Sequence, residues 1–291
     1  MTLETTTHSL LVLDEVAPLR SYIQQSRHEG KVIGLVPTMG ALHAGHLSLI
    51  EAARREVDEL IVTIFVNPTQ FGPQEDYQEY PRPFEKDLAA CRNAGVDVVF
   101  HPSVELLYPE GFCTFVEVEG LSKLWEGKFR PTHFRGVTTI VMKLLQLVQP
   151  DIAYFGRKDY QQQLLIRRMC HDLNVPVEIR TCPTVREHDG LALSSRNVYL
   201  DKNQRTSALS LSNCLKLAQT MIESGETDLA KVRQAMLKCL TESGDVVPDY
   251  VTIAHAETLE ELDVPQSDMI ALVAARVGTT RLIDNLPISR Q

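Results

Sequence analysis

The chain has 291 residues, enough for one large domain or two ordinary ones, each with a core of its own. Twenty-nine basic against 38 acidic residues leave a net charge of -9, which argues against a broad nucleic-acid surface while allowing a small basic pocket for a phosphorylated ligand. No apolar stretch reaches the roughly 18 residues that a membrane span needs. The start, "MTLETTTHSLLVLDEVAPL", lacks the basic n-region and clean h-region of a signal peptide. Cysteines at 91, 113, 170, 182, 214 and 239 form no CxxC or other close pair, which suits a reducing cytoplasm and offers no zinc site.

In chain order, "KVIGLVPT" is a short branched apolar run, the mark of a buried strand. "HLSLIEAARREVDEL" then places Leu47, Ile50, Val57 and Leu60 on one helical face, with Arg54, Arg55 and Asp58 turned away. "LIVTIFVN" is the next strand, and strand, helix, strand with short connections defines a parallel βαβ unit. The alternation continues through "FEKDLAACRNAG", a helix ending at Gly95, and the strand "VDVVFHP". "GVTTIVMKLLQLVQP" is helical to Pro150, "DIAYFG" a strand, "DYQQQLLIRRMCHDLN" a helix and "VPVEIRTCPTV" a closing strand. This predicts a doubly wound, parallel-sheet, Rossmann-like α/β domain over residues 1–185. Beyond "SSRNVYL" two amphipathic helices, "TSALSLSNCLKLAQTMIES" and "DLAKVRQAMLKCLTE", precede strands in "DYVTIAHAETLEEL" and "MIALVAARVGTTRLIDNL". Helices followed by strands predict a smaller α+β domain over 186–291, expected to close over the active site.

The chemistry concentrates in "GLVPTMGALHAGHLSLI". Gly40 and Gly45 have phosphate-loop spacing, but His46 and Leu47 stand where such a loop carries Lys and Ser or Thr, so this is not a P-loop. Instead His43 and His46 lie three apart at the start of a helix, whose N-terminus offers unpaired N–H groups and partial positive charge. One imidazole could simply cap the helix. Two of them after a buried strand, among glycines that let a ligand approach the backbone, point to anion binding. Imidazole donates to a phosphate without a permanent charge and can take up a proton as charge builds on the leaving group, which suits attack at an α-phosphate.

The HxGH pattern resembles the nucleotidyltransferase and class I aminoacyl-tRNA synthetase group, and "PTMGALHAGHLSLI" resembles the pantoate–β-alanine ligase (pantothenate synthetase) family in particular. "IFVNPTQFGPQEDYQEYPR", "RPTHFRGVTTIVMKLL", "DIAYFGRKDYQQQLLIRRM", "PTVREHDGLALSSRNVYL" and "RLIDNL" match stretches of that family in its order, over most of the chain. The resemblance implies ATP-dependent condensation of pantoate with β-alanine through a pantoyl-adenylate, releasing AMP and pyrophosphate. It implies ATP as co-substrate with Mg2+, a cytoplasmic homodimer, and no nucleic-acid or membrane partner.

Carried onto this sequence, the resemblance makes His43, His46, Lys158 and Arg196 catalytic. It assigns ATP to Met39, Gly40, Ala41, Leu42, His43, Ala44, Gly45 and His46, to Gly156, Arg157, Lys158 and Asp159, and to Val185, Leu193, Ser194, Ser195 and Arg196. Gln70 and Gln162 hold pantoate with Asn67 assisting, and Asp87 is a candidate carboxylate for the metal. The residue types suit these duties. A carboxylate approaching a triphosphate needs cations and donors, which Lys158, Arg196 and the serines supply, while Gln70 offers both donor and acceptor. Alone, "GRKDYQQQ" also reads as a solvated turn, "LALSSRN" as an interdomain turn and "EDYQEYPRPFEKD" as a solvated face. Ala44 stands where the family usually has Glu, Leu193 where Met is common, and Lys86 adjoins Asp87; none of these removes a catalytic charge. An adenylyltransferase would share the HxGH turn but leave "VNPTQFG" and "KDYQQQ" without a purpose. A nucleotide sensor would bind ATP without releasing AMP.

Overall fold

The computed structural model describes residues 10–73 and 75–289. The first nine residues, and with them the start of the stretch tested for an export signal, lie outside it. The chain divides into two compact units, each assembled from three segments. The first comprises the described residues of Met1–Val118, Thr132–Arg157 and Leu165–Pro183; the second, Glu119–Pro131, Lys158–Leu164 and the described part of Thr184–Gln291.

In the first unit β1 (Leu11–Leu13), α1 (Val16–His28), β2 (Ile33–Thr38), α2 (Ala44–Arg54), β3 (Glu59–Ile64), α3 (Phe84–Asn93), β4 (Val98–Phe100) and α4 (Val104–Leu107) follow one another. After α5 (Glu126–Phe129), which belongs to the second unit, come α6 (His133–Val148), β5 (Ile152–Gly156), α7 (Tyr160–Asp172), which counts with the first unit from Leu165 onward, and β6 (Glu178–Cys182). The described strands form one parallel sheet in the order β1-β4-β3-β2-β5-β6. Both faces are covered, so the strands are continuous apolar runs whose successive side chains serve opposite cores. Leu35, Ile61, Phe100, Ala153 and Phe155 join α1 and α6 on one side. Val36, Leu60, Val62, Val99 and Tyr154 join α2 and α3 on the other. The order reverses between β2 and β5, which makes the carboxyl ends of those strands the topological switch point where such sheets bind ligands.

The doubly wound α/β expectation matches this architecture. Details differ. The helix after β2 ends at Arg54, and Leu60 belongs to β3 instead of the helical face. Arg54 is not turned to solvent: its guanidinium pairs with Asp97 at 2.6 Å and donates to the Asp58 carbonyl at 2.8 Å, folding the turn that the helix was expected to run through. α6 begins at His133, three residues before the expected Gly136. β1 and α1 carried no legible signal, since β1 is three residues long and largely exposed, while α1 buries only Leu19, Ile23 and Ser26.

In the second unit α8 (Lys202–Glu223) and α9 (Leu229–Thr241) precede β7 (Val246–His255), β8 (Asp268–Val277) and β9 (Thr280–Ser289), an antiparallel sheet in the order β7-β8-β9. This is the expected α+β pattern. The unbroken apolar run of β8 has a definite cause. Ala271, Val273 and Ala275 face the helix core with Leu215 and Met236, whereas Ile270 and Leu272 join a second core with Leu164, Leu121 and Trp125. Segments 119–131 and 158–164 therefore cover the sheet face that α8 and α9 leave open.

Segment 119–131 is fixed by charge as well as by apolar contact. Buried Glu126 receives both terminal nitrogens of Arg281 at 2.7 Å and the Tyr250 hydroxyl at 2.9 Å, and Arg281 Nε reaches Asp249 at 2.6 Å. Gln161 accepts from the Glu126 N–H and donates to the carbonyls of Leu121 and Leu124, so its amide is fully engaged. Among the described residues no helix is long and apolar enough to cross a membrane.

Candidate active site

The loop after β2 begins with Thr38, whose hydroxyl donates to the Thr63 carbonyl at 2.7 Å and accepts the Gly40 N–H at 3.1 Å. Gly40 and Ala41 then both take positive φ, +82° and +50°, a turn that only glycine adopts without strain. His43 caps α2. Its Nδ1 accepts the Gly45 N–H at 3.1 Å, and the His46 Nδ1 accepts the His43 N–H at 3.4 Å, a capping box built of two imidazoles. The rings lie 4.1 Å apart. Because each Nδ1 accepts from the backbone, the proton of each neutral ring resides on Nε2. The sequence pointed to anion binding with capping as the rival, and the structure shows that both imidazoles cap the helix. Capping fixes the tautomer that makes each Nε2 a donor.

Asp87, in the first turn of α3, is buried and accepts the N–H groups of Ala41 and Leu42, each at 2.8 Å. Those bonds engage both carboxylate oxygens with the loop. Among the described residues no group of three His, Cys, Asp or Glu is arranged to hold a metal.

Beyond β3 the chain forms a 3₁₀ turn, Pro68–Gln70, capped by Asn67. Asn67 is buried and committed in every direction. Its Oδ1 accepts from Thr69 Oγ1 and from the Tyr108 hydroxyl, both at 2.9 Å, and its Nδ2 donates to the Gly136 carbonyl and to Gln70 Oε1, both at 3.1 Å. Gln70 Nε2 in turn meets Met39 Sδ at 2.8 Å, so the turn beyond β3 touches the loop that follows β2. Asn67 is thus an orienting group for Gln70. Burial pushes the Tyr108 phenol above its ordinary range, against a smaller opposing effect of Thr69, so Tyr108 acts as a neutral donor.

The first turn of α6 lies hard against this turn. A Cβ on Gly136 would sit 2.4 Å from the Thr69 carbonyl oxygen, and His133 Nδ1 is 2.9 Å from the Gln70 carbonyl. Gly136→Ala is accordingly expected to destabilise the protein by about 1–3 kcal/mol by overpacking. It should also displace the Gln70 turn and change initial rates; melting curves and kinetics check both, and a variant normal in each would show that the turn yields freely. A cavity of about 260 Å³ opens between Met39, Phe65, Phe84 and His101. Gly40 and Asp87 line it as well, so it opens at the loop that follows β2.

Of the other expected site residues, Gly156 and Arg157 belong to the first unit and the rest to the second. Gly156 ends β5 and Arg157 donates its N–H to the Cys182 carbonyl, which carries the strand register to the edge of the first unit. Lys158 follows, its carbonyl held by Asn285 Nδ2 at 2.7 Å and its Nζ 3.6 Å from Asp159. The Asp159 carbonyl accepts the Gln163 N–H at the start of α7, and Gln162 is half-buried on that helix. Val185 and Leu193 face each other across a hairpin, joined by a 3.0 Å backbone bond and turned at Gly190, where φ is +98°. Arg186 clamps that hairpin to β9 with two bonds to buried Asp284, at 2.6 and 2.9 Å. Ser194 caps the 3₁₀ turn Ser195–Tyr199 by accepting the Arg196 N–H. "RLIDNL", a motif without an assigned duty, is therefore a support: Arg281, Asp284 and Asn285 hold Glu126, Arg186 and Lys158. The legible signal was a buried Asp in an apolar strand, which demands a cation nearby.

A parallel nucleotide-binding-type sheet, with an HxGH helix cap at its switch point and a glutamine beside it, defines an enzyme class that works on nucleotide phosphates. The comparisons narrow it. The family model for pantoate–β-alanine ligase matches residues 11–287. The chain is 54% identical over 275 residues to the pantothenate synthetase of Moorella thermoacetica, covering 94% of this chain and 97% of that protein. It is 50% identical to that of Acetivibrio thermocellus, covering 94% and 98%. The crystal structure of pantothenate synthetase from Thermus thermophilus superposes with a TM-score of 0.91 at 48% identity, covering 95% of this chain and 98% of that one. A Francisella tularensis pantoate–β-alanine ligase complexed with β,γ-ATP and β-alanine gives 0.79 at 35% identity, covering 96% and 97%. The chain belongs to the pantoate–β-alanine ligase family. It is a ligase that forms an amide bond, condensing pantoate with β-alanine at the expense of ATP.

Proposed function

We propose that residues 39–46 hold the ATP phosphates through the Nε2–H groups of His43 and His46, and that Gln70, oriented by Asn67, holds pantoate beside them. The observation that carries this reading is the pair of imidazoles 4.1 Å apart with both Nδ1 atoms committed to the backbone. The pantoate carboxylate, ionised at neutral pH and needing no base, attacks the α-phosphorus. The bond from that phosphorus to the bridging oxygen breaks, pyrophosphate leaves and pantoyl-adenylate remains. The amine of β-alanine then attacks the acyl carbon, the bond from that carbon to the AMP oxygen breaks, AMP departs and the nitrogen's proton passes to water or to the AMP phosphate. Donors aimed at the oxygens that gain charge, together with fixed substrate positions, carry the rate.

Lys158 and Arg196 serve as further phosphate cations, with Gly156–Asp159, Val185 and Leu193–Ser195 as nucleotide contacts and Gln162 as a second pantoate contact. The bond from Asn285 to the Lys158 carbonyl and the Arg186–Asp284 clamp support this by fixing the backbones that bear them. The roles proposed for the two regions are a nucleotide- and pantoate-binding body formed by the first and a closing element formed by the second. Magnesium fits as part of the ATP complex, held by phosphate and water oxygens, because Asp87 commits both oxygens to the loop. A cytoplasmic homodimer completes the proposal, in keeping with free, dispersed cysteines.

The test is isotope exchange between ATP and pyrophosphate. Exchange is expected with pantoate present and β-alanine absent, and it should vanish when pantoate is withheld. Exchange supported only by a phosphorylated acceptor would overturn the adenylate route.

A further inference from the structure

We propose that Asp87 is a positioning residue for the nucleotide, an internal carboxylate seated where the loop backbone would otherwise take an anion. The inference rests on reading residues 39–46 as the ATP loop. Beside a turn in which Gly40 and Ala41 take positive φ, the successive N–H groups of Ala41 and Leu42 converge on one point, as they do in a backbone nest for an anion. At a nucleotide site the ordinary occupant of such a nest is phosphate. Here the occupant is protein. Asp87 Oδ2 accepts from Ala41 and Oδ1 from Leu42, both at 2.8 Å, and the side chain is 1% exposed.

Two further donors of the turn are taken in the same manner, since His46 receives the His43 N–H and His43 the Gly45 N–H. This leaves the imidazole Nε2 atoms as side-chain donors for a phosphate at this turn. Asp87 also explains how Ala41, a residue with a Cβ, is kept left-handed: two charge-assisted bonds on either side of its peptide hold it there. Its place in the first turn of α3 stabilises the negative charge, and the Gly40 position has no room for a side chain, because a Cβ would meet Asp87 Oδ2 and Ile64 Cγ2 at 3.0 Å.

The experiment measures pantoate-dependent ATP–pyrophosphate exchange for Asp87→Ala, Asp87→Asn and His46→Ala across ATP, pantoate and magnesium concentrations. Asp87→Ala is expected to raise KM for ATP by about tenfold or more, the scale of losing bonds to a charged group, with KM for pantoate changed much less. Added acetate, which restores two carboxylate oxygens, should recover part of the loss, and added magnesium should not. Asp87→Asn keeps the volume and one acceptor but turns an N–H against one loop donor, so it should impair ATP as severely while leaving no cavity and melting closer to the parent than the alanine variant, which covers the case of an unstable alanine variant. Recovery by magnesium alone would make Asp87 a metal ligand and overturn the proposal, as would an unchanged KM for ATP in both variants. A His46→Ala enzyme with normal ATP kinetics would overturn the loop reading itself. Normal Asp87 variants beside an impaired His46→Ala would overturn only the positioning role.

Discussion

His46→Ala is expected to lower kcat for pantothenate formation by about 10²–10³-fold, the effect of deleting one donor from a preorganised anion site. The loss should fall on the first half-reaction, so ATP–pyrophosphate exchange declines in parallel. Stability should change far less. His46 lies at the third helical position, where its Nδ1 accepts a capping bond of 3.4 Å, and a capping group is worth about 1 kcal/mol. Steady-state rates beside a melting curve separate the two effects. A variant that unfolds, or one that turns over normally, would return the histidine to a structural role. His43 is the less clean target, because its ring accepts the Gly45 N–H and its removal opens the helix end.

The largest loss of stability is expected from Arg281→Ala. Glu126 is buried, and burial alone would raise its carboxyl pKa; the hydrogen bonds and charge of Arg281, with help from Arg130 and Tyr250, outweigh that and hold it below its ordinary value. Removing the guanidinium leaves both Glu126 and Asp249 without that cation, and breaking a buried pair from one side costs about 3–5 kcal/mol. Scanning calorimetry should show the second unit melting first. Arg281→Met with Glu126→Gln should recover much of the loss, because the uncompensated buried charge is gone from that pair. The sign of the pH dependence follows from the depressed carboxyl. Its contribution is complete above the unfolded value of 4.5 and disappears as pH falls through the lower folded value. The parent should therefore lose stability steeply below that point, and Glu126→Gln should flatten the acid limb; an unchanged limb would place the acid sensitivity elsewhere.

What the sequence made legible was what repeats locally. β2, β3 and β5 announced themselves because a sheet covered on both faces needs unbroken apolar strands, and the histidine pair was visible because its members stand three apart. What stayed hidden depends on partners distant in the chain. Arg186 and Asp284 are 98 residues apart, and Glu126 and Arg281 are 155 apart, so no local spacing announces either pair. Tyr108 is 41 residues from Asn67, and its duty emerges only when the fold brings them to one turn. Arg54 misled for a related reason. On a helical wheel it faces water, yet the helix stops and the guanidinium turns back to close the next loop. The resemblance supplied residue roles that spacing could not, but it gave "RLIDNL" and Gly136 no physical reason; a clamp and a close approach do.

The interleaving of the two units constrains how this protein can be made and cut. Glu126, Gln161 and Leu164 leave the ribosome well before β8 and β9, so these pieces of the second unit await strands that arrive last. A recombinant piece starting at Thr184 would carry Arg281 without Glu126 and would display Ile270 and Leu272 to water, making it prone to aggregate. The unit is compact without being contiguous, and a gene truncated at that junction encodes no independent module.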